Sequence, residues 1–275
     1  MQRLRSHVSF GFDVPPPPGE ISLSGGCIAV SAAFTSGCLL ALAVVLGCAW
    51  RGVEMDAGVI LLASMPLEIC LILAAVIAPL VERASLRNAL ALHAVPLLCL
   101  PAAVVGTLAV SMFGDRLAQA VADVTHWHYG SIEQISALLR ATSGPARLAA
   151  VVGIAVLPAL GEEFVCRGLL FRACEVKWGG RVAVLLTAIF FAALHMDPVQ
   201  GASAFILGLY CGEMRRRTGS IVPGMLGHCA NNLLYSLIVL NASLEHVLAR
   251  ETWPLVLLGL LVAGACLLAM RERER

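Results

Sequence analysis

The segment from Cys27 to Trp50 runs for 24 residues without one Asp, Glu, Lys, Arg or His. In helical form, about 20 apolar residues cross the hydrocarbon core of a bilayer. A soluble fold would have to enclose such a segment on all sides, and this chain has little polar material to do so. Hydrophobic residues make up 59% of it and charged residues 13%, where soluble domains carry about 45–50% and about 25%. Further apolar stretches lie at roughly 58–80, 89–113, 149–171, 182–197, 199–214, 221–243 and 254–270. Backbone inside lipid must satisfy its own hydrogen bonds, which leaves helices or a closed barrel. The expectation is therefore an all-α polytopic membrane bundle of about eight transmembrane helices, with one interfacial amphipathic segment. A net charge of +1 leaves no basic footprint for nucleic acid. Nearly all of the ten cysteines sit in apolar runs and no C-x-x-C occurs, so they read as small apolar filler.

Four regions are expected. Residues 1–26, with Pro15 to Pro18 in a row, read as a flexible tail and not as a secretory signal. Residues 27–146 hold the first membrane helices and a long loop, 147–243 hold the polar motifs, and 244–275 form a last helix with a charged tail. In the 114–146 loop, Leu117, Val121 and Val124 recur at helical spacing, as do Ile132, Ile135 and Leu139. That pattern suits an amphipathic helix at the membrane surface, with Trp127 and Tyr129 at headgroup level. His126 and His128 lack a third ligand nearby and read as solvated loop residues. The spans at 182–197 and 199–214 meet at Met196-Asp197-Pro198, as a tilted pair or a helical hairpin. With a cytoplasmic N-terminus, thirteen Lys and Arg fall on the inside and five outside. This asymmetry favours both termini in the cytoplasm and an even number of spans.

Ionisable groups within a span cost about 2.5–3.5 kcal/mol each on insertion scales, so each needs a reason. Glu68, His93, Glu162, Glu163, Arg167, His195 and His228 all lie at apparent membrane depth. Glu162 and Glu163 are adjacent and point about 100° apart on a helix. Glu163 and Arg167 are four apart on one face and can neutralise each other, which leaves Glu162 free to face a cavity. Phe191 and His195 share a face one turn apart, and so do His228 and Asn232. Ser220 is placed to cap the latter helix, and Pro223 suits its first turn. At about 1.5 Å per residue, Glu162 lies roughly 15 Å, His228 roughly 13 Å and His195 roughly 21 Å from the cytoplasmic side. A carboxylate, two imidazoles and a carboxamide from separate spans form an inventory for activating a water and stabilising an oxyanion. A carboxylate in a low-dielectric cavity is a stronger base, and N–H groups aimed at an oxyanion are worth about 2.7–4 kcal/mol each.

The ordered set Glu162-Glu163-x-x-x-Arg167, Phe191-x-x-x-His195 and His228-x-x-x-Asn232 resembles the motifs of the CPBP intramembrane proteases. These are the CAAX proteases and bacteriocin-processing enzymes, among them the type II CAAX prenyl endopeptidases. The resemblance covers roughly residues 147–243, which it makes the catalytic core. It implies that Glu162 acts with His195 to activate the hydrolytic water. It further implies that His228 and Asn232 form the oxyanion site, with Glu163, Arg167 and Phe191 in support. The implied activity is endopeptidase cleavage near the C-terminus of a membrane-anchored or lipidated protein or peptide, in a bacterial plasma membrane. No cofactor is implied by the glutamate-dependent mechanism. A zinc ion on Glu162 and the two histidines stays open as an alternative, although no HExxH helix is present. Two readings from other classes also stand beside it: a proton-coupled transporter or channel using Glu68, Glu162 and the histidines as a relay, and a non-catalytic immunity or scaffold protein. No internal repeat supports the transporter.

Overall fold

The computed structural model describes residues 21–54, 57–127, 130–241, 243–244 and 252–270. Every regular element among them is helical. Four helical segments are long and apolar enough to cross a membrane: Leu23–Trp50, Gly58–Val81, Cys99–Thr125 and Gly144–Trp178. Two shorter apolar helices, Gly180–Leu194 and Trp253–Ala269, add to these. The chain is thus a polytopic helical membrane protein. Leu39, Leu42 and Leu46 stand 61%, 52% and 59% exposed along the first helix, an apolar surface that only lipid accommodates.

Helices α1 (Leu23–Trp50) and α2 (Ala57–Val81) form an antiparallel pair. Glu82 ties their ends together. Its carboxylate accepts from the Ser22 backbone N–H and hydroxyl, each at 2.7 Å, while Ser22 caps α1. Midway, Gly37 lies against the Leu67 backbone, where a Cβ would stand 2.6 Å from Leu67 Cα. Because α1 begins at Leu23, the tail expected over 1–26 gives way to helix four residues early, at the Ser22 cap. Residues 1–20 of that tail lie outside the described residues.

The third expected span is displaced. Residues 89–98 do not continue as one helix: after the short α3 (Leu86–Ala89) the chain turns at Ala91, φ +51°, and α4 starts only at Cys99. Pro96 cannot donate within a helix and turns its predecessor away from helical geometry. The irregular stretch is tied to the start of a later helix, where Ile221 N–H donates to the Ala91 carbonyl and the Ser220 hydroxyl to the His93 carbonyl. Helix α4 (Cys99–Thr125) then absorbs the first half of the loop expected to be interfacial. Only α5 (Gly130–Ala141) remains a separate amphipathic helix, with Leu138 and Leu139 buried against Ala150 and Val239. Tyr129 and His128 lie outside the described residues, and Trp127 is half exposed.

The next segment is one helical rod from Gly144 to Trp178 with two π-helical turns. It comprises α6 (Gly144–Val151), a π turn at Val152–Val156, α7 (Leu157–Glu163), a second π turn at Phe164–Leu170, and α8 (Phe171–Trp178). It exceeds the expected 149–171 at both ends. Helices α9 (Gly180–Leu194) and α10 (Pro198–Thr218) pack as a hairpin across Met196, φ +50°. Asp197 caps α10 by accepting from Val199 and Gln200 N–H groups. Glycines set the pairing distance, since a Cβ at Gly208 would stand 3.0 Å from Ala188 Cα. Helix α11 (Val222–Leu240) has Ile221 as its N-cap in place of the expected Ser220. The Ser220 hydroxyl accepts from Val222 N–H, but its own proton goes to His93 across the bundle. Helix α12 (Trp253–Ala269) closes the bundle on α4, with Gly259 against the Ala109 carbonyl.

Candidate active site

The expected residues lie on three helical segments: the rod containing α7, then α9 and α11. Glu162 and Glu163 end α7, and Arg167 follows in the second π turn. Such π turns are rare and are frequently found at functional sites. The Arg167 Nη1 donates to Glu163 Oε1 at 2.6 Å, with both side chains fully buried. Its Nη2 donates to the Gly208 carbonyl at 2.9 Å, and the guanidinium lies 4.5 Å from the Phe191 ring centroid. One buried cation is thus held by a carboxylate, a carbonyl and a π face.

Phe191 on α9 is the hub of the aromatic side. Its ring meets His195 edge-on at 5.2 Å and His228 edge-on at 5.5 Å, centroid to centroid. The His195 Nδ1 lies 2.9 Å from the Phe191 carbonyl, which fixes the ring. His195 is the C-cap of α9, at the hairpin turn.

His228, buried in α11, reaches both acids. Its Nε2 is 3.7 Å from Glu162 Oε2 and its Nδ1 3.5 Å from Glu163 Oε1. Adjacent carboxylates were expected to serve separate jobs because they diverge on a helix. The imidazole presents two nitrogens on opposite edges and spans that divergence, so the two acids share a neighbour. Among the described residues, Nδ1 nonetheless has no hydrogen-bond partner, and neither has Glu163 Oε2. The latter oxygen points at Gly224, where a Cβ would stand 2.9 Å away.

Asn232 lies one turn beyond His228. Its Nδ2 is 3.5 Å from the Ile154 carbonyl and its Oδ1 is 3.5 Å from Asn231 Nδ2. Pro158 cannot donate to the Ile154 carbonyl. Residue 158 is the α-helical donor to position 154, and proline has no N–H. The first π turn, Val152–Val156, sits at this break. Pro158, Gly208 and Gly224 shape the site, yet no motif spacing points to them. Their signal in the sequence is the type alone: a proline and two glycines inside apolar helices.

Among the described residues, no three His, Cys, Asp or Glu side chains converge as a metal-binding group. His93 and Glu68, also ionisable at membrane depth, enter differently. His93 lies in the irregular stretch before α4, whereas Glu68 approaches α7 from α2.

Comparison with known proteins agrees with this segment as the informative one. Residues 144–234 match the family described as type II CAAX prenyl endopeptidase Rce1-like. No curated protein and no solved structure matches the chain significantly. The match spans Glu162 through Asn232 and with them all three ordered motifs. Over residues 144–234, this helical membrane protein therefore resembles the type II CAAX prenyl endopeptidase Rce1-like family.

Proposed function

We propose that this protein is an intramembrane endopeptidase that hydrolyses a peptide bond near the C-terminus of a membrane-anchored or lipidated protein or peptide. Glu162 and His195 activate the water, and His228 with Asn232 holds the oxyanion. The observation that carries the proposal is the buried polar cluster itself. An imidazole spans two carboxylates, one of them neutralised by an enclosed guanidinium, among helices that are otherwise apolar. Such groups are costly inside a membrane protein and mark function.

In the proposed reaction Glu162 accepts a proton as the water oxygen bonds to the scissile carbonyl carbon. The carbonyl π pair moves to oxygen, where imidazole and carboxamide N–H groups stabilise it. When the tetrahedral intermediate collapses, the C–N bond breaks and the proton passes through His195 to the leaving amine. Glu163 and Arg167 neutralise each other and hold the helix that carries Glu162. No cofactor takes part. The lysine and arginine asymmetry supports cytoplasmic termini; the membrane is taken to be a bacterial plasma membrane, with the site opening to the cytoplasm.

The test compares C-termini of membrane proteins by mass spectrometry in cells producing the wild-type chain or Glu162→Gln. Shortened C-termini present only with the wild type are expected. Identical sets, or the wild-type set from Glu162→Gln, would overturn the proposal.

A further inference from the structure

Asn231 belongs to none of the three motifs, yet it stands beside one of them in the middle of the apolar helix α11. A carboxamide in a membrane helix is costly unless its polar ends find partners. Neighbouring residues on a helix diverge by about 100°, so Asn231 would ordinarily point away from Asn232. Its side chain turns back instead: Asn231 Nδ2 donates to Asn232 Oδ1 at 3.5 Å. The opposite end of the Asn232 amide faces the Ile154 carbonyl, with Nδ2 3.5 Å from that oxygen. This contact settles the sense of both bonds. A carbonyl oxygen only accepts, so the Asn232 end beside it is the NH2. The other end is then an oxygen that calls for a donor, and Asn231 supplies it. The hydroxyl one turn on is engaged elsewhere, because Ser236 donates to the Asn232 backbone carbonyl at 2.9 Å. Among the described residues, Asn231 is therefore the group that holds the oxygen end of the Asn232 side chain.

We propose that Asn231 is a positioning residue for the oxyanion site: by donating to Asn232 Oδ1 it keeps the Asn232 amide turned so that an N–H, and not the carbonyl oxygen, meets the oxyanion. This rests on the function proposed above and adds to its site a residue outside the motifs. The Asn232 NH2 carries two hydrogens. One faces the Ile154 carbonyl, and the other is left for the substrate oxygen. Both anchors matter because each is long, at 3.5 Å, and hydrogen bonds of that length are weak. A rotated amide would set its own oxygen against the developing negative charge. Donors fixed in advance lower the barrier because they need no turning at the moment of reaction. Asn231 itself touches no reacting atom and moves no proton.

The experiment uses the full chain in liposomes and a farnesylated fluorogenic peptide ending in a CAAX sequence as probe. Asn231→Leu removes the donor, keeps the bulk and suits an apolar helix. The expected result is a kcat lowered about three- to tenfold, the worth of one ordinary hydrogen bond, with KM and melting temperature unchanged. The decisive readout is a double-mutant cycle with Asn232→Ala. Once the Asn232 amide is gone, Asn231 has nothing to orient, so Asn231→Leu should add no further loss in that background. Equal losses in both backgrounds would mark a merely structural residue and overturn the positioning role. Asn231→Leu working at the wild-type rate while Asn232→Ala is impaired, or losing activity only as folded protein is lost, would overturn it too, and the proposed function would stand. If Asn232→Ala cleaves at the wild-type rate, or the wild type leaves the peptide intact, the proposed function fails and takes this inference with it.

Discussion

Replacing Glu163 by Ala should destabilise the protein far more than it alters any exposed charge. The pair it forms with Arg167 is fully buried on both sides at 2.6 Å. Removing one partner of such a pair costs about 3–5 kcal/mol because the other is left as an uncompensated charge. Arg167 would keep the Gly208 carbonyl at 2.9 Å and the Phe191 face at 4.5 Å. A buried cation–π contact holds about 2 kcal/mol, so the lower end, about 3 kcal/mol, is expected. For chains of this size each kcal/mol moves the midpoint by about 2–4 °C, giving a drop of roughly 6–12 °C. The assay is thermal unfolding in detergent followed by tryptophan fluorescence, all variants at one scan rate because unfolding of such proteins is often irreversible. A second variant isolates the cause. Glu163→Leu with Arg167→Met replaces the pair by apolar groups of similar bulk and should melt above Glu163→Ala. A Glu163→Ala protein melting within about 2 °C of the wild type, or a double variant below the single, would refute the reasoning.

Pro158→Ala restores the N–H that α-helical geometry directs at the Ile154 carbonyl, in competition with Asn232 at 3.5 Å. Melting temperature should hold or rise while cleavage falls about tenfold; unchanged turnover would separate the π turn from the chemistry. Gly208→Val places a Cβ 3.0 Å from Ala188 Cα, and overpacking of this kind costs about 1–3 kcal/mol, readable as a lower melting temperature. Chelators should leave the cleavage rate unchanged; inhibition reversed by zinc would instead assign Glu162, His195 and His228 to a metal.

The sequence alone determined the class and the cast. A charge-free run from Cys27 to Trp50 in so apolar a chain dictates membrane helices, because lipid offers the backbone no other hydrogen-bond partners. Glu163 and Arg167 were legible as a pair because four residues is one helical turn, and the motifs pointed to the family that the segment 144–234 matches. Local periodicity, however, says nothing about where one helix meets another. Hydropathy carried the third span from 89 to 113, whereas the chain breaks at Ala91 and Pro96 and continues to Thr125. Tertiary packing alone set His228 against both acids, since α11 and α7 meet only in three dimensions. It also decided that Asn232 lies beside the Ile154 carbonyl, and that Gly161 admits Glu68 from a helix more than ninety residues away in sequence. A glycine or proline in an apolar helix looks the same in sequence wherever it stands. Its consequence depends on the atom that comes to lie opposite, and only the folded bundle supplies that atom.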